Sequence, residues 1–163
     1  MAELSRHVLF VCTGNICRSP DAEVIARSRA TTLPHGTMLT FSSAGTASWH
    51  VGDDMDPRAA GALEAAGYAP GRHIAQHATD ELLAASDVII ALDRKHREIL
   101  KGRLPTDRHR SVHLLRPFDP RSGGAQDVAD PYYGTDEEFQ RSIAIVEASV
   151  TSLLAALGKM PIS

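Results

Sequence analysis

Apolar positions along the chain fall into short unbroken runs that alternate with segments of helical period. His7 to Val11 (HVLFV) is a compact run rich in β-formers, and Thr13-Gly14-Asn15 interrupts it before a helical pattern that begins near Pro20. The order there is strand, loop, helix. Met38 to Ser42, Asp87 to Leu92 and Val112 to Leu115 read as further strands, and DVIIAL at Asp87 to Leu92 has the composition of a strand buried on both faces. Helical stretches are expected around Pro57 to Ala66, Thr79 to Ala85 and Arg94 to Leu100. The last helix has the plainest signal: Phe139, Ile143, Val146, Val150, Leu153 and Leu157 recur at three- or four-residue steps and make one apolar stripe for a sheet. Strands alternating with helices predict an α/β fold, a parallel sheet covered on both faces.

Before that last helix, Asp119 to Asp136 is rich in Gly, Pro and Asp and has no period. Loops of such length inside compact domains are more often functional than idle. No repeat, low-complexity tract or linker divides the 163 residues, so one domain over 1–163 is expected. Lys plus Arg number 17 against 20 for Asp plus Glu, and a net charge of −3 gives no general reason to bind nucleic acid or an anionic membrane. Any anion recognition must be local. No apolar run reaches the ~20 residues that span a bilayer, and Met1 to Arg6 lacks the apolar segment of a signal peptide, so a cytoplasmic protein is expected. Signal-independent export leaves no readable mark. The two cysteines, Cys12 and Cys17, share one short segment, which excludes a disulfide framework and points to chemistry or redox sensing.

A loop running from a strand's carboxyl end into a helix aims several backbone N–H groups, and the helix dipole, at one spot. That spot suits an anion. In Cys12-Thr13-Gly14-Asn15-Ile16-Cys17-Arg18-Ser19 a thiol opens the loop and a guanidinium follows six residues later, with Gly14 giving conformational freedom between them. The loop can curl around a phosphate with Cys12 beneath it and Arg18 forking two oxygens. The same field favours a thiolate, which makes Cys12 the expected nucleophile. A lone Cys at a strand end is ordinarily a small core residue, and a lone Arg after a loop is ordinarily solvated; it is the combination C-x5-R-S between strand and helix that implies catalysis. No Gly-Lys-Ser/Thr follows Gly14, so the loop is not a nucleoside-triphosphate loop, and two thiols without a second ligand pair do not make a zinc site. Neither metal nor cofactor is expected.

Val11 to Pro20, V-C-T-G-N-I-C-R-S-P, resembles the signature of the low-molecular-weight protein tyrosine phosphatases. Ser42-Ser43-Ala44-Gly45-Thr46 and Asp130-Pro131-Tyr132-Tyr133-Gly134 resemble that family's two other landmarks, in the same order along nearly the whole chain. The resemblance implies a three-layer, phosphatase I-like fold with a four-stranded parallel sheet, the site at the strands' carboxyl ends, and phosphotyrosine-containing proteins as substrates. By the same resemblance Asn15, Ser19 and Ser43 hold the loop in shape and keep the Cys12 thiolate stable, where the plainer reading of Ser43 is a turn residue.

Expelling an aryl oxygen from phosphorus requires a proton for the leaving group, hence a carboxylic acid over the loop. Asp119 and Asp130 both precede Pro, and Asp-Pro is most often a turn former. Paired aromatics follow Asp130, which also matches the family's general acid; Asp119 is expected to order the loop. Tyr132 and Tyr133, off any periodic apolar face, are expected to form one side of a slot for a planar phenol. Trp49 is either the opposite wall or ordinary packing.

Two positions depart from the family. Asp21 stands where an apolar residue is usual, and a carboxylate there should weaken phosphate binding unless it points to solvent. A supporting His of the family aligns near Arg72, with His73 one place late; the remaining histidines are expected at the surface. Arsenate reductases share the fold and loop but need cysteines beyond Cys17, which are absent here. Phosphoarginine phosphatases tend to carry Thr where Ile16 stands. A silent phosphotyrosine-binding module would have lost the nucleophile or the acid. Oligomeric state is not readable.

Overall fold

The structure, a computed structural model, describes residues 5–159. Four strands form one parallel sheet: β1 (Arg6–Cys12), β2 (Leu39–Gly45), β3 (Val88–Ala91) and β4 (Val112–Leu114), in the order β2-β1-β3-β4. The helices are α1 (Arg18–Ala30), α2 (Pro57–Ala65), α3 (Asp80–Ala85), α4 (Arg94–Arg103) and α5 (Asp136–Leu157). The three-layer α/β architecture is the one expected.

Alternation along β1 divides the core. Val8, Phe10 and Cys12 face a cluster that includes Ile25 of α1, Leu63 of α2 and the α5 stripe, whereas Leu9 and Val11 face a second cluster with Leu83 of α3 and Leu100 of α4. Every one of the six stripe residues from Phe139 to Leu157 is buried. Each large aliphatic side chain so covered contributes about 1.5–3 kcal/mol. Thr135 caps α5 by accepting the Glu138 amide, and three acidic residues fill its first turn, where the dipole favours them. Among the described residues no helix is long and apolar enough to cross a membrane.

Sheet order places the functional region. The chain leaves β1 towards β2 on one side and β3 towards β4 on the other, so a crevice opens between the carboxyl ends of β1 and β3. The Cys12 loop leaves β1 at that crevice, and Asp93 caps α4 just beyond β3. Two of the boundaries that differ from the sequence reading bear on the site. α1 starts at Arg18, two residues before Pro20, and β2 runs three residues past Ser42, to Gly45. The β2 extension is tertiary in origin: Cys12 pairs with Gly45, and the Thr46 and Ala47 amides bond the Cys12 and Thr13 carbonyls at 2.8 and 3.0 Å. A Cβ at Gly45 would sit 2.5 Å from the Thr13 oxygen, so only glycine admits this approach.

Candidate active site

From Cys12 to Arg18 the loop wraps a cavity of about 250 Å³, lined also by Trp49, His50, Asp130, Tyr132 and Tyr133. Cys12 lies at its base, 2 % exposed. Its Sγ is 3.3 Å from the Asn15 amide, which donates to it, and 2.9 Å from Ser19 Oγ. Ser19 Oγ accepts Asn15 Nδ2–H at 2.9 Å, and its own proton has two acceptors in reach, the sulfur at 2.9 Å and the Ala44 carbonyl at 3.5 Å, of which a thiolate is the nearer and the stronger.

Asn15 carries the turn. Its φ of 58° lies in the left-handed region, which Asn tolerates better than most non-glycine residues. The side chain is wholly buried and spends its groups on the loop: Nδ2 also reaches Ser43 Oγ at 2.9 Å, and Oδ1 accepts the Gln76 amide at 2.9 Å. Ser43 passes its proton to Glu23 Oε1 at 2.6 Å, and Glu23 pairs with Arg27. His73 Nε2 is 2.7 Å from the Asn15 carbonyl, which it meets as a donor, while Arg72 is exposed. The position one place late thus supports the loop.

Arg18 is 4 % exposed, and its Nη1 bonds both Asp93 Oδ2 and the Val128 carbonyl at 2.9 Å. Its Nη2 lies 3.6 Å from Asp130 Oδ2, whose side chain is half-exposed at the cavity mouth. Asp130 Oδ1 accepts the Tyr132 amide at 3.1 Å, which fixes the carboxyl above the loop. Asp119, by contrast, is buried and accepts the Arg121 amide at 2.9 Å as a turn former. It is not among the cavity-lining residues.

At the rim, Tyr132 and Tyr133 meet edge to face with centroids 4.9 Å apart, and the Arg58 guanidinium stacks 5.4 Å from the Tyr132 ring centre. Tyr133 is 95 % and Trp49 77 % exposed, and both line the cavity mouth, so Trp49 is not a core packing residue. Beside Trp49, His50 covers the loop backbone: a Cβ on Gly14 would come within 3.0 Å of its Cδ2.

The expectation that the remaining histidines lie at the surface fails for His96, which is 1 % exposed and bonded to Thr13. The sequence reading also passed over Asp93, Gln76 and Val128. Asp93 had a signal, an Asp directly before a helical segment. The others act through long-range contacts that leave none.

For Asp21 the exception allowed above does not hold. The side chain does not point to solvent; it is 1 % exposed, and both carboxyl oxygens are buried without a hydrogen-bond partner. Burial, reinforced by Asp56, favours the neutral carboxyl and raises its proton affinity well above the ordinary carboxyl range. Burial likewise pushes the Cys17 thiol up, with the Asp56 carboxylate adding to it, and Cys17 stays a thiol at neutral pH. The folded state holds the Asp21 proton where the unfolded chain releases it, so this contribution to stability is full below 3.8 and is lost as pH rises towards the folded value. Asp21→Asn, which cannot titrate, is expected to lose less thermal stability than wild type between pH 4 and 8. Asp21→Leu should raise stability at pH 8 by about 1–3 kcal/mol, the cost of an unpaired buried polar group. Parallel melting curves across that range for all three proteins would contradict the assignment.

Known proteins are similar to this chain in sequence and in fold. A family model described as low molecular weight phosphotyrosine protein phosphatase matches residues 7–161. Low molecular weight protein-tyrosine phosphatase A of Mycobacterium tuberculosis is 46% identical over 148 residues, 90% of this chain and 88% of the relative. A crystal structure of protein tyrosine phosphatase from Entamoeba histolytica, with Hepes in its active site, superposes with a TM-score of 0.90 at 31% identity, covering 96% of this chain and 100% of that one. The YwlE arginine phosphatase of Bacillus subtilis, solved with a phosphorylated active-site serine, superposes with a TM-score of 0.80 at 29% identity, over 94% of this chain and 96% of that one. With a matching model over nearly its whole length and relatives of this closeness, the chain belongs to the low molecular weight phosphotyrosine protein phosphatase family.

Proposed function

We propose that the protein hydrolyses phosphotyrosine in proteins through a phosphocysteine on Cys12. The observation that carries the reading is the position of Cys12 Sγ, held at the floor of the loop by the Ser19 hydroxyl and the Asn15 amide, beneath a mouth that bears Asp130 and the Tyr pair. In the first step Cys12 attacks phosphorus, the bond to the aryl oxygen breaks, and Asp130 gives that oxygen its proton. In the second, Asp130 takes a proton from water as the water oxygen attacks phosphorus and the thiolate departs. The Ser19 hydroxyl donates to the sulfur as its charge returns. Arg18 and the loop N–H groups hold the equatorial oxygens throughout, and their fixed orientation is what makes them effective. Every atom of this cycle comes from the chain, the substrate and water. Rates on phosphotyrosine, phosphoserine and phosphoarginine peptides with chelator present test the reading. Phosphotyrosine should lead, and activity only with added metal would overturn it.

Selectivity against phosphoarginine rests on Ile16, 9 % exposed at the cavity wall, together with the aromatic rim. A phenol gains from apolar and aromatic walls. A guanidinium-linked phosphate brings N–H groups that Ile16 cannot satisfy, and each unpaired buried donor costs about 1–3 kcal/mol. Phosphoserine is too short to reach Cys12 while its peptide stays outside the rim. Ile16→Thr supplies a hydroxyl partner and is expected to raise the ratio of phosphoarginine to phosphotyrosine kcat/KM several-fold. An unchanged ratio would place selectivity in the rim alone.

A further inference from the structure

His96 lies in the first turn of α4, outside the loop, yet it joins the two ends of the loop. Its ring Nδ1 accepts the Asp93 amide at 3.2 Å, while Asp93 Oδ1 accepts the His96 amide at 3.0 Å, a reciprocal capping box at the start of α4. Nδ1 also lies 3.1 Å from Asp93 Oδ1, but the Asp93 amide points its N–H at the same nitrogen; with Nδ1 accepting that bond, the ring proton is on Nε2, 2.9 Å from Thr13 Oγ1, and is donated to it. The other oxygen of Asp93 binds Arg18 at 2.9 Å. Thr13, His96, Asp93 and Arg18 therefore form a continuous bonded chain that leaves the loop at its second residue and returns at its guanidinium.

We propose that His96 is a positioning residue of the phosphate loop: as the Nε2–H tautomer it fixes Thr13 at one end and, through the Asp93 cap, orients Arg18 at the other. Burial and the Arg18 guanidinium keep the ring uncharged, with its affinity for a proton pushed down to about 4 against the pull of Asp93, Asp130 and Asp127. A second ring proton would face the Asp93 amide and draw the Asp93 carboxylate away from Arg18. Burial opposes the charge on Asp93, but the His96 amide and Arg18 outweigh it and hold that carboxyl below its usual range. The guanidinium thus meets an ionised partner, and the cap keeps that partner from turning.

The inference rests on the phosphatase reading, and side-chain reach separates its two components. Asn places an acceptor where Nδ1 stands and keeps the cap but cannot reach Thr13; Gln places an N–H where Nε2 stands and keeps the Thr13 bond. His96→Asn is expected to melt close to wild type yet bind inorganic phosphate, and turn over phosphotyrosine peptides, about tenfold less well, the upper worth of one hydrogen bond. Thr13→Val should show the same loss. The double variant should be no worse than either single one, since both break the same link. His96→Gln should restore phosphate affinity to within about twofold of wild type. Calorimetric phosphate binding needs no turnover, so a wild type that binds phosphate without hydrolysing phosphotyrosine overturns the function and leaves this link standing. Wild-type phosphate affinity in Thr13→Val, or losses that multiply in the double variant, overturns the role of His96. Thr13→Val, on the loop surface, keeps the test decisive even where a variant at position 96 fails to fold.

Discussion

Cys12→Ser is expected to abolish turnover on phosphotyrosine peptides while inorganic phosphate or vanadate binds at least as tightly as to wild type. A hydroxyl is close in shape to a thiol and retains the Ser19 and Asn15 neighbours, but it does not ionise at neutral pH and is a poor nucleophile without an adjacent base. No base stands ready for it. Ser19, the hydroxyl beside it, is too weak a base to take the proton of another hydroxyl. The oxyanion cradle is independent of the sulfur: Asn15 is pinned by Ser43, Gln76 and His73, and Arg18 by Asp93 and Val128. Removing a thiolate from beneath a phosphate dianion also removes a like-charge repulsion. Steady-state rates and calorimetric phosphate binding on the same preparation check this. Turnover above background would deny Cys12 its covalent role, and joint loss of binding and turnover would mean that the sulfur shapes the loop.

What the sequence made legible was whatever a short window contains. HVLFV, the C-x5-R-S loop and the α5 stripe are local patterns whose periods and spacings map directly on to β1, the cavity and the buried face of one helix. Position 21 marks the limit of such reading. A helical first turn ordinarily favours a charged carboxylate, but α1 turns that position inward, against Asp56 from a distant segment, where burial favours the neutral form. The loop's supports were hidden for a related reason. His73 and Asn15 are 58 residues apart, and Thr13 and His96 are 83 apart. Nothing in the neighbourhood of either histidine records the partner, because it is the β2-β1-β3 order that brings them together. Alignment alone could leave His73 and Arg72 open; only the fold decides which ring reaches the Asn15 carbonyl.

Asp130→Ala is expected to lower kcat/KM on phosphotyrosine peptides by about 10²–10⁴-fold, the usual worth of a general acid. The expectation depends on where the carboxyl is held. Its Oδ1 is committed to the Tyr132 amide, which leaves Oδ2 over the loop, 3.6 Å from Arg18 Nη2, at the side from which a leaving oxygen must depart. Its half-exposed position gives a departing group and an incoming water a common path, as the proposed use of one carboxyl in both steps requires. A general acid matters in proportion to the basicity of the oxygen it protonates. The loss should therefore be large for tyrosine phosphate, smaller for a nitrophenyl phosphate and smallest for a dinitrophenyl phosphate, whose phenolate leaves without a proton. Asp119→Ala supplies the contrast. That side chain is buried in its own turn with the Arg121 amide, so its loss should lower the melting temperature and affect all three substrates alike. Plotting log kcat/KM against leaving-group acidity for wild type and both variants separates the roles: the Asp130→Ala line should steepen, and the Asp119→Ala line should shift without changing slope. A parallel line for Asp130→Ala would remove it from the chemistry and make it a structural support of the rim.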